Sequence, residues 1–258
     1  MGKIIAISNQ KGGVGKTTTA VNLAASLGAY SKKVLLVDLD PQGSATTSLG
    51  INRAELQYNI YDLFINDIDI RQMIVSPEYA KIDVVPTTID LAGVDIKLVD
   101  NPFKNYVLEK GLNKIKDDYD YIIIDTPPSL GLLTLNALYA SDSVLIPVQC
   151  QFLSLDGLTQ LLNTIRIVQS NKRVNQKSLA IEGVLLTMLD RRTTHGWEIV
   201  NEVKQYFREG VFDTIILTNV AAQVAPNYGM PLLKYQPFSA SAKGYKGLAK
   251  EIMMKNAQ

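Results

Sequence analysis

Cysteine and histidine are nearly absent from this chain of 258 residues, which carries one of each, Cys150 and His195. A lone cysteine forms no internal disulfide, and Cys150 follows the apolar run Val144 to Val148, which reads as a buried strand. Apolar surroundings raise a thiol's pKa and blunt its reactivity, so packing is the expected role of Cys150. A single imidazole without a second histidine or a nearby thiol makes no zinc site, and His195, beside Trp197, is expected at the surface or at a helix cap. Long hydrophobic runs are missing too: no stretch approaches the roughly 20 apolar residues that cross a bilayer. The opening Met1-Gly2-Lys3 and a short apolar run lead straight into a glycine-rich loop, without the long apolar region or cleavage site of a signal peptide. A cytoplasmic protein with no stable membrane insertion is expected.

Excess charge of either sign is also lacking. The net charge of +1 excludes attraction of the whole molecule to nucleic acid, although the halves differ. Residues 177–258 hold ten Lys/Arg against seven Asp/Glu, and residues 1–176 hold sixteen against eighteen. Any anion-binding surface is therefore expected late in the chain. With 47% apolar and 20% charged residues, no internal repeat and no low-complexity tract, the chain can bury a core and is read as a single domain over residues 1–258.

What is present is an alternation of short β-branched runs with helical patterns. The runs are continuously apolar, as in strands covered on both faces, which points to a doubly wound α/β fold with a mainly parallel sheet and right-handed crossovers. Seven strands are expected, at Ile4–Ile7, Val34–Val37, Ile82–Val85, Tyr121–Ile124, Val144–Val148, Ile181–Leu186 and Thr214–Leu217. Helices are expected at about 16–29, 103–117, 131–140, 154–170, 196–208 and 240–255.

The first strand runs into Lys11-Gly12-Gly13-Val14-Gly15-Lys16-Thr17-Thr18, and a helical pattern follows at once. Glycines let backbone N–H groups turn toward phosphate oxygens without a Cβ clash, and the helix N-terminus adds positive potential. Lys16 suits the β and γ phosphates, the Thr17 hydroxyl suits Mg²⁺, and Thr18 suits the α phosphate. ATP and Mg²⁺ are the implied cofactors. The glycine that opens the usual phosphate-loop pattern is replaced here by Gln10.

Two acidic stations follow. The second strand ends in Asp38-Leu39-Asp40-Pro41-Gln42-Gly43, where ligands collect in open α/β sheets; an ordinary Asx turn is the plainer reading. Asp38 is expected in the Mg²⁺ shell. A later strand, Tyr121 to Ile124, delivers Asp125 before Thr126-Pro127-Pro128, the pattern of a Walker B acid that holds Mg²⁺ through water. Each acidic motif alone is weak, whereas three stations in this order converge on one nucleotide.

With Lys11 in place of a plain spacer, Lys-Gly-Gly-Val-Gly-Lys-Thr-Thr resembles the deviant Walker A signature of the ParA and MinD superfamily. The resemblance extends over Asn9-Gln10, Asp38 to Gly43, Val84 to Gly93, Asp125 to Gly131 and Ile146 to Cys150, and is strongest to the short Soj type of ParA, which has no N-terminal helix-turn-helix extension. It implies that Lys11 reaches across a homodimer to the partner subunit's ATP and that Asp40 orients the attacking water. It also implies an ATP-bound dimer on non-specific DNA, turnover stimulated by a ParB-like centromere-binding protein, and a nucleoid-associated location. The family places the base near Met188 and Asn219.

In relatives, arginines usually stand where this chain has Thr218, Ala221, Phe238 and Ala240. Arg191, Arg192, Lys234, Lys243, Lys246 and Lys250 remain as candidate phosphate-backbone contacts, each of which also fits a solvated surface. Two other cargoes stay open. One is a membrane, as in MinD, although Tyr245, Leu248, Ile252 and Met253 read better as a core stripe than as a lipid-binding face. The other is a protein assembly positioned by the same ATPase cycle.

Overall fold

The computed structural model describes residues 2–151, 155–174 and 177–256; Ser154, where one helix is expected to begin, and the terminal residues Ala257 and Gln258 lie outside them. Strand β1 (Lys3–Ile7) leads through the glycine-rich loop into α1 (Lys16–Ala29), then β2 (Val34–Asp38). Short helices follow: α2 (Ser44–Ser48) and α3 (Ile60–Ile65), then β3 (Asp83–Val85), α4 (Val94–Lys97) and α5 (Val107–Asn113). The remainder is β4 (Tyr121–Asp125), α6 (Leu132–Ala140), β5 (Ser143–Gln149), α7 (Leu155–Val174), β6 (Ala180–Thr187), α8 (Thr194–Phe207), α9 (Val220–Val224), α10 (Leu232–Tyr235) and α11 (Ala240–Lys255).

Among the described residues the sheet has six strands in the order β3-β2-β4-β1-β5-β6, and every strand pair is parallel. The continuous apolar runs split by the two-residue strand period between the faces. Ile5, Ile7, Leu36 and Ile123 pack with α1 and α11, while Ile4, Ala6, Leu35, Val37, Ile122 and Ile124 pack with α3, α5 and α6. Toward the β6 edge, Val144, Ile146, Val184 and Leu186 meet α7 and α8. Both faces are thus sealed, and the strand order reverses beside β1, where ligands gather in such sheets.

The expected seventh strand is not one. Residues 211–218 run beside β6 with isolated parallel bridges, Val184 to Val211 and Leu189 to Leu217. In between, the N–H groups of Asp213 and Thr214 donate to the Glu251 carboxylate of α11 (2.7 and 3.1 Å), which takes them out of the ladder. The helix expected over 103–117 is likewise divided, into 3₁₀ turns at Lys104–Tyr106 and Lys116–Asp118 around α5.

The stripe on α11 is core: Tyr245, Leu248, Ala249 and Ile252 are buried with α1, and the Tyr245 hydroxyl lies 3.3 Å from that of Thr19. It is therefore not a free lipid-binding face. No helix among the described residues is long and apolar enough to cross a membrane.

Candidate nucleotide-binding site

The glycine-rich loop leaves the central strand β1 and is pinned from the side of β5 and β6. Asn9, buried, donates from Nδ2 to the Pro147 carbonyl (2.7 Å) and accepts the Lys11 N–H at Oδ1 (3.0 Å). The Thr187 hydroxyl at the end of β6 donates to the Val14 carbonyl (2.9 Å). Gly13 (φ 76°) and Gly15 (φ 89°) take left-handed conformations that a side chain would strain, and Gly15 forms the N-cap of α1. Nothing lies within 4 Å of where a Cβ would stand at Gly12 or Gly13, so the loop's open side can receive phosphate oxygens. Lys16 is 7% exposed, and its ammonium donates to the Lys11 carbonyl (3.1 Å) across the loop. Burial pushes its pKa down, and the nearby Asp125 and Asp40 oppose that shift.

The two acids sit side by side. Asp38 and Asp125 are cross-strand partners at the ends of β2 and β4, and both are fully buried. Asp38 Oδ2 accepts the Thr46 N–H (2.8 Å) and the Thr46 hydroxyl (2.7 Å), while Oδ1 accepts the Asp40 N–H (3.2 Å). Burial still raises the Asp38 carboxyl to about 6. Among the described residues neither Asp125 oxygen has a hydrogen-bond partner. The Thr17 hydroxyl is near enough to favour the charged form of Asp125 without closing a well-formed bond to it. Burial and the Asp38 charge dominate and raise its pKa well above the usual carboxylate value. A buried carboxylate with unmet lone pairs is costly unless a cation or donor arrives. The oxygen-only donor set beside Thr17 suits a hard, partly hydrated cation such as Mg²⁺. Asp40, half-exposed, is fixed by accepting the Gln42 N–H (3.0 Å) ahead of the left-handed Gly43 that starts α2.

The AAA domain family matches residues 2–181. The sporulation initiation inhibitor protein Soj of Bacillus subtilis is 54% identical over 252 residues, covering 98% of each chain. The chromosome partitioning protein ParA of Myxococcus xanthus is 46% identical over 256 residues, covering 99% of this chain and 89% of that protein. The chain belongs to the Soj-type ParA family of deviant Walker ATPases. A solved structure, cobyrinic acid a,c-diamide synthase from Mycobacterium smegmatis with bound ATP analog and magnesium, is 33% identical and superposes with a TM-score of 0.88 over 100% of this chain and 97% of that one.

The structure brings the ParA-like stations together at one edge of the sheet: Lys11, Lys16, Thr17, Asp38, Asp40 and Asp125 follow the adjacent strands β1, β2 and β4. Thr18 is half-buried on the first turn of α1. Met188 and Asn219 are joined through Thr218, whose hydroxyl donates to the Met188 carbonyl (2.9 Å) and whose N–H donates to the Leu189 carbonyl (3.0 Å). Met188 is itself left-handed (φ 55°), and its terminal methyl lies 3.6 Å from a Cβ built on Gly15. The Asn219 side chain is engaged as the cap of α9, accepting the Ala221 N–H (2.8 Å).

The candidate DNA contacts do not form one cluster by sequence position or by element. Lys243, Lys246 and Lys250 share the exposed side of α11, opposite Tyr245 and Leu248. Lys234 is exposed on α10, with its ammonium 5.7 Å from the centre of the Tyr79 ring. Arg191 and Arg192 lie on the loop before α8, where Arg192 grips Asp190 through two side-chain bonds (3.0 and 2.7 Å) that offset its charge. Of the positions without arginine, Ala221 is buried, whereas Phe238 is 83% exposed.

Cys150 is buried, with its thiol pushed up to about 12, and His195 is an exposed neighbour of Glu198 (3.4 Å). Sequence reasoning missed Thr46 and Thr187. Threonine carries no motif signal at either position, and both matter through partners far away in sequence.

Proposed function

We propose that this chain is a partition ATPase in which ATP and Mg²⁺ complete a dimer. The observation that carries the reading is the buried Asp38–Asp125 pair, with unmet Asp125 oxygens, set against Lys16 and Thr17 at the mouth of the glycine-rich loop. Such a pair is balanced by a divalent cation arriving with a polyphosphate. The bound ATP analog and magnesium of the superposable structure, and the partition roles in the names of the relatives, support the same conclusion.

In this reading the backbone from Gly12 to Gly15, together with Val14, Lys16, Thr17 and Thr18, cradles the phosphates, and Thr17, Asp38 and Asp125 serve Mg²⁺, the carboxylates through water. Mg²⁺ supplies charge neutralisation of the phosphate oxygens. Asp40 orients the attacking water, a positioning task suited to a loose transition state. Lys11 acts in trans on the partner subunit's ATP, and the base lies by Met188 and Asn219. The single domain works in the cytoplasm on the nucleoid, where Arg191, Lys234, Lys243, Lys246 and Lys250 contact phosphates of non-specific DNA and a ParB-like protein stimulates turnover. Arg192 contributes less because Asp190 offsets it.

The exposed Phe238 and the Asp190-bound Arg192 favour a second reading, in which the same ATPase positions a protein assembly. Cosedimentation with random-sequence DNA, with and without ATP over a salt series, separates the two. Partition on DNA requires ATP-dependent binding that weakens steeply with salt; no binding at low salt favours the protein cargo.

A further inference from the structure

Thr46 is fully buried in the first turn of α2, and its N–H and hydroxyl make three hydrogen bonds to residues outside that helix. Its N–H and its hydroxyl both donate to Asp38 Oδ2, at 2.8 and 2.7 Å. Its hydroxyl oxygen then accepts the N–H of Thr87, at 3.1 Å, from the buried segment that follows β3. One side chain therefore joins the end of β2, the helix after it and the exit of β3. Asp40 lies between Asp38 and Thr46 in sequence, and its own N–H donates to the other Asp38 oxygen. The loop from Asp38 to Thr46 is thus closed at both ends on a single carboxylate.

We propose that Thr46 is a positioning residue for the metal-and-water side of the ATPase site. It fixes the rotation of the Asp38 carboxylate so that Oδ1 faces the nucleotide, and it ties α2 and the Thr87 segment to that orientation. A hydroxyl that donates to Asp38 has its one proton committed there, so its lone pair is what remains for Thr87; the two contacts have opposite polarity and cannot be exchanged. Valine at this position keeps the volume and the backbone donor but loses the side-chain donor and the acceptor, leaving the buried Thr87 N–H unmet. Serine keeps both. Loss of the partner of a directly bound ligand costs about 10- to 100-fold in metal affinity; Thr46 acts on a carboxylate that meets the metal through water, so its loss falls at the low end of that range, about tenfold.

The inference rests on the assignment of Asp38 to the Mg²⁺ shell, and the test separates the two. The full chain, Thr46→Val, Thr46→Ser and Asp38→Asn are compared for Mn²⁺ binding in the presence of ADP by electron paramagnetic resonance, and for the Mg²⁺ dependence of fluorescent-ADP binding. Thermal melts without metal or nucleotide serve as the fold control. The expected result is about a tenfold loss of metal affinity in Thr46→Val, restoration in Thr46→Ser, and little change in nucleotide affinity without metal. Should Thr46→Val not fold, Thr46→Ala removes the same hydroxyl with less bulk and carries the comparison. Loss in Asp38→Asn with parental affinity in the hydroxyl-free variant overturns the role of Thr46 alone. Parental metal affinity in Asp38→Asn overturns the assignment of Asp38 itself. Equal loss in Thr46→Val and Thr46→Ser overturns the hydroxyl as the operative group.

Discussion

Replacing Asp125 by asparagine should stabilise the protein when metal and nucleotide are absent, and should remove the stabilisation that they bring. The partner carboxyl gives the scale: Asp38 moves from 3.8 to about 6, a shift of about 2 units that corresponds to about 3 kcal/mol of cost to its charged form. Asp125 is raised in the same direction, well above the ordinary carboxylate value, because burial and the Asp38 charge outweigh what the Thr17 hydroxyl does for its charged form. Its ionisation without metal or nucleotide is therefore also unfavourable. An asparagine removes that charge but brings amide groups that this pocket does not satisfy, at about 1–3 kcal/mol. On the scale set by Asp38 the net gain is about 0–2 kcal/mol, or up to roughly 6 °C in Tm for a chain of this size. The pH dependence has a fixed sign. Because both folded-state pKa values are raised, the two carboxyls favour the fold fully below the unfolded value near 3.8, and this is lost as pH rises through about 6 for Asp38 and through the raised value of Asp125. The advantage of Asp125→Asn should therefore be present at pH 8 in EDTA and be lost or reversed near pH 4, where the parent's carboxyl is neutral and only the unsatisfied amide remains. Denaturation in urea at the two pH values reads it directly. A variant less stable than its parent at pH 8 without metal would refute the idea that an unbalanced charge pair is stored there. In the same samples, Mg²⁺ with ADP should stabilise the parent and leave Asp125→Asn nearly unchanged.

Removing the Lys16 ammonium takes away a charge-assisted contact to the terminal phosphates, so Lys16→Ala should weaken ATP binding on the order of 10- to 100-fold by calorimetry; unchanged affinity would contradict its place in the site. Asp40→Ala should keep ATP affinity and lose turnover in a phosphate-release assay, with the ATP-bound dimer accumulating in size-exclusion runs. Parental turnover in that variant removes Asp40 from the mechanism.

Most of the site was legible because it is built from contiguous segments. Continuous apolar runs mark strands sealed on both faces, and β1, β2 and β4 each deliver a candidate site residue within a few positions of their C-terminal ends: Lys11, Asp38 and Asp125. What escaped the sequence depends on long-range partners. Thr214 lies in a β-branched run, yet its N–H goes to Glu251, 37 residues later, so the expected strand reduces to isolated bridges. The helices α2, α3 and α4 span five, six and four residues, too short for apolar periodicity to register. Their starts depend on local devices such as the capping box of Asn59 and Asp62. Thr46 and Thr187 became visible through the carbonyl, carboxylate and N–H groups they bind. The late basic residues were legible as charges but not as a surface, because Arg192 is spent on Asp190 and the three lysines of α11 face solvent.

The link between nucleotide state and subunit association is tested most directly by the mass of Lys11→Ala in solution. Sedimentation velocity with saturating, slowly hydrolysed ATP analogue and Mg²⁺ should show the parent as a dimer and Lys11→Ala as a nucleotide-bound monomer. A Lys11→Ala dimer of parental stability would contradict the account, because the ATP of one subunit would then need no cation from the other.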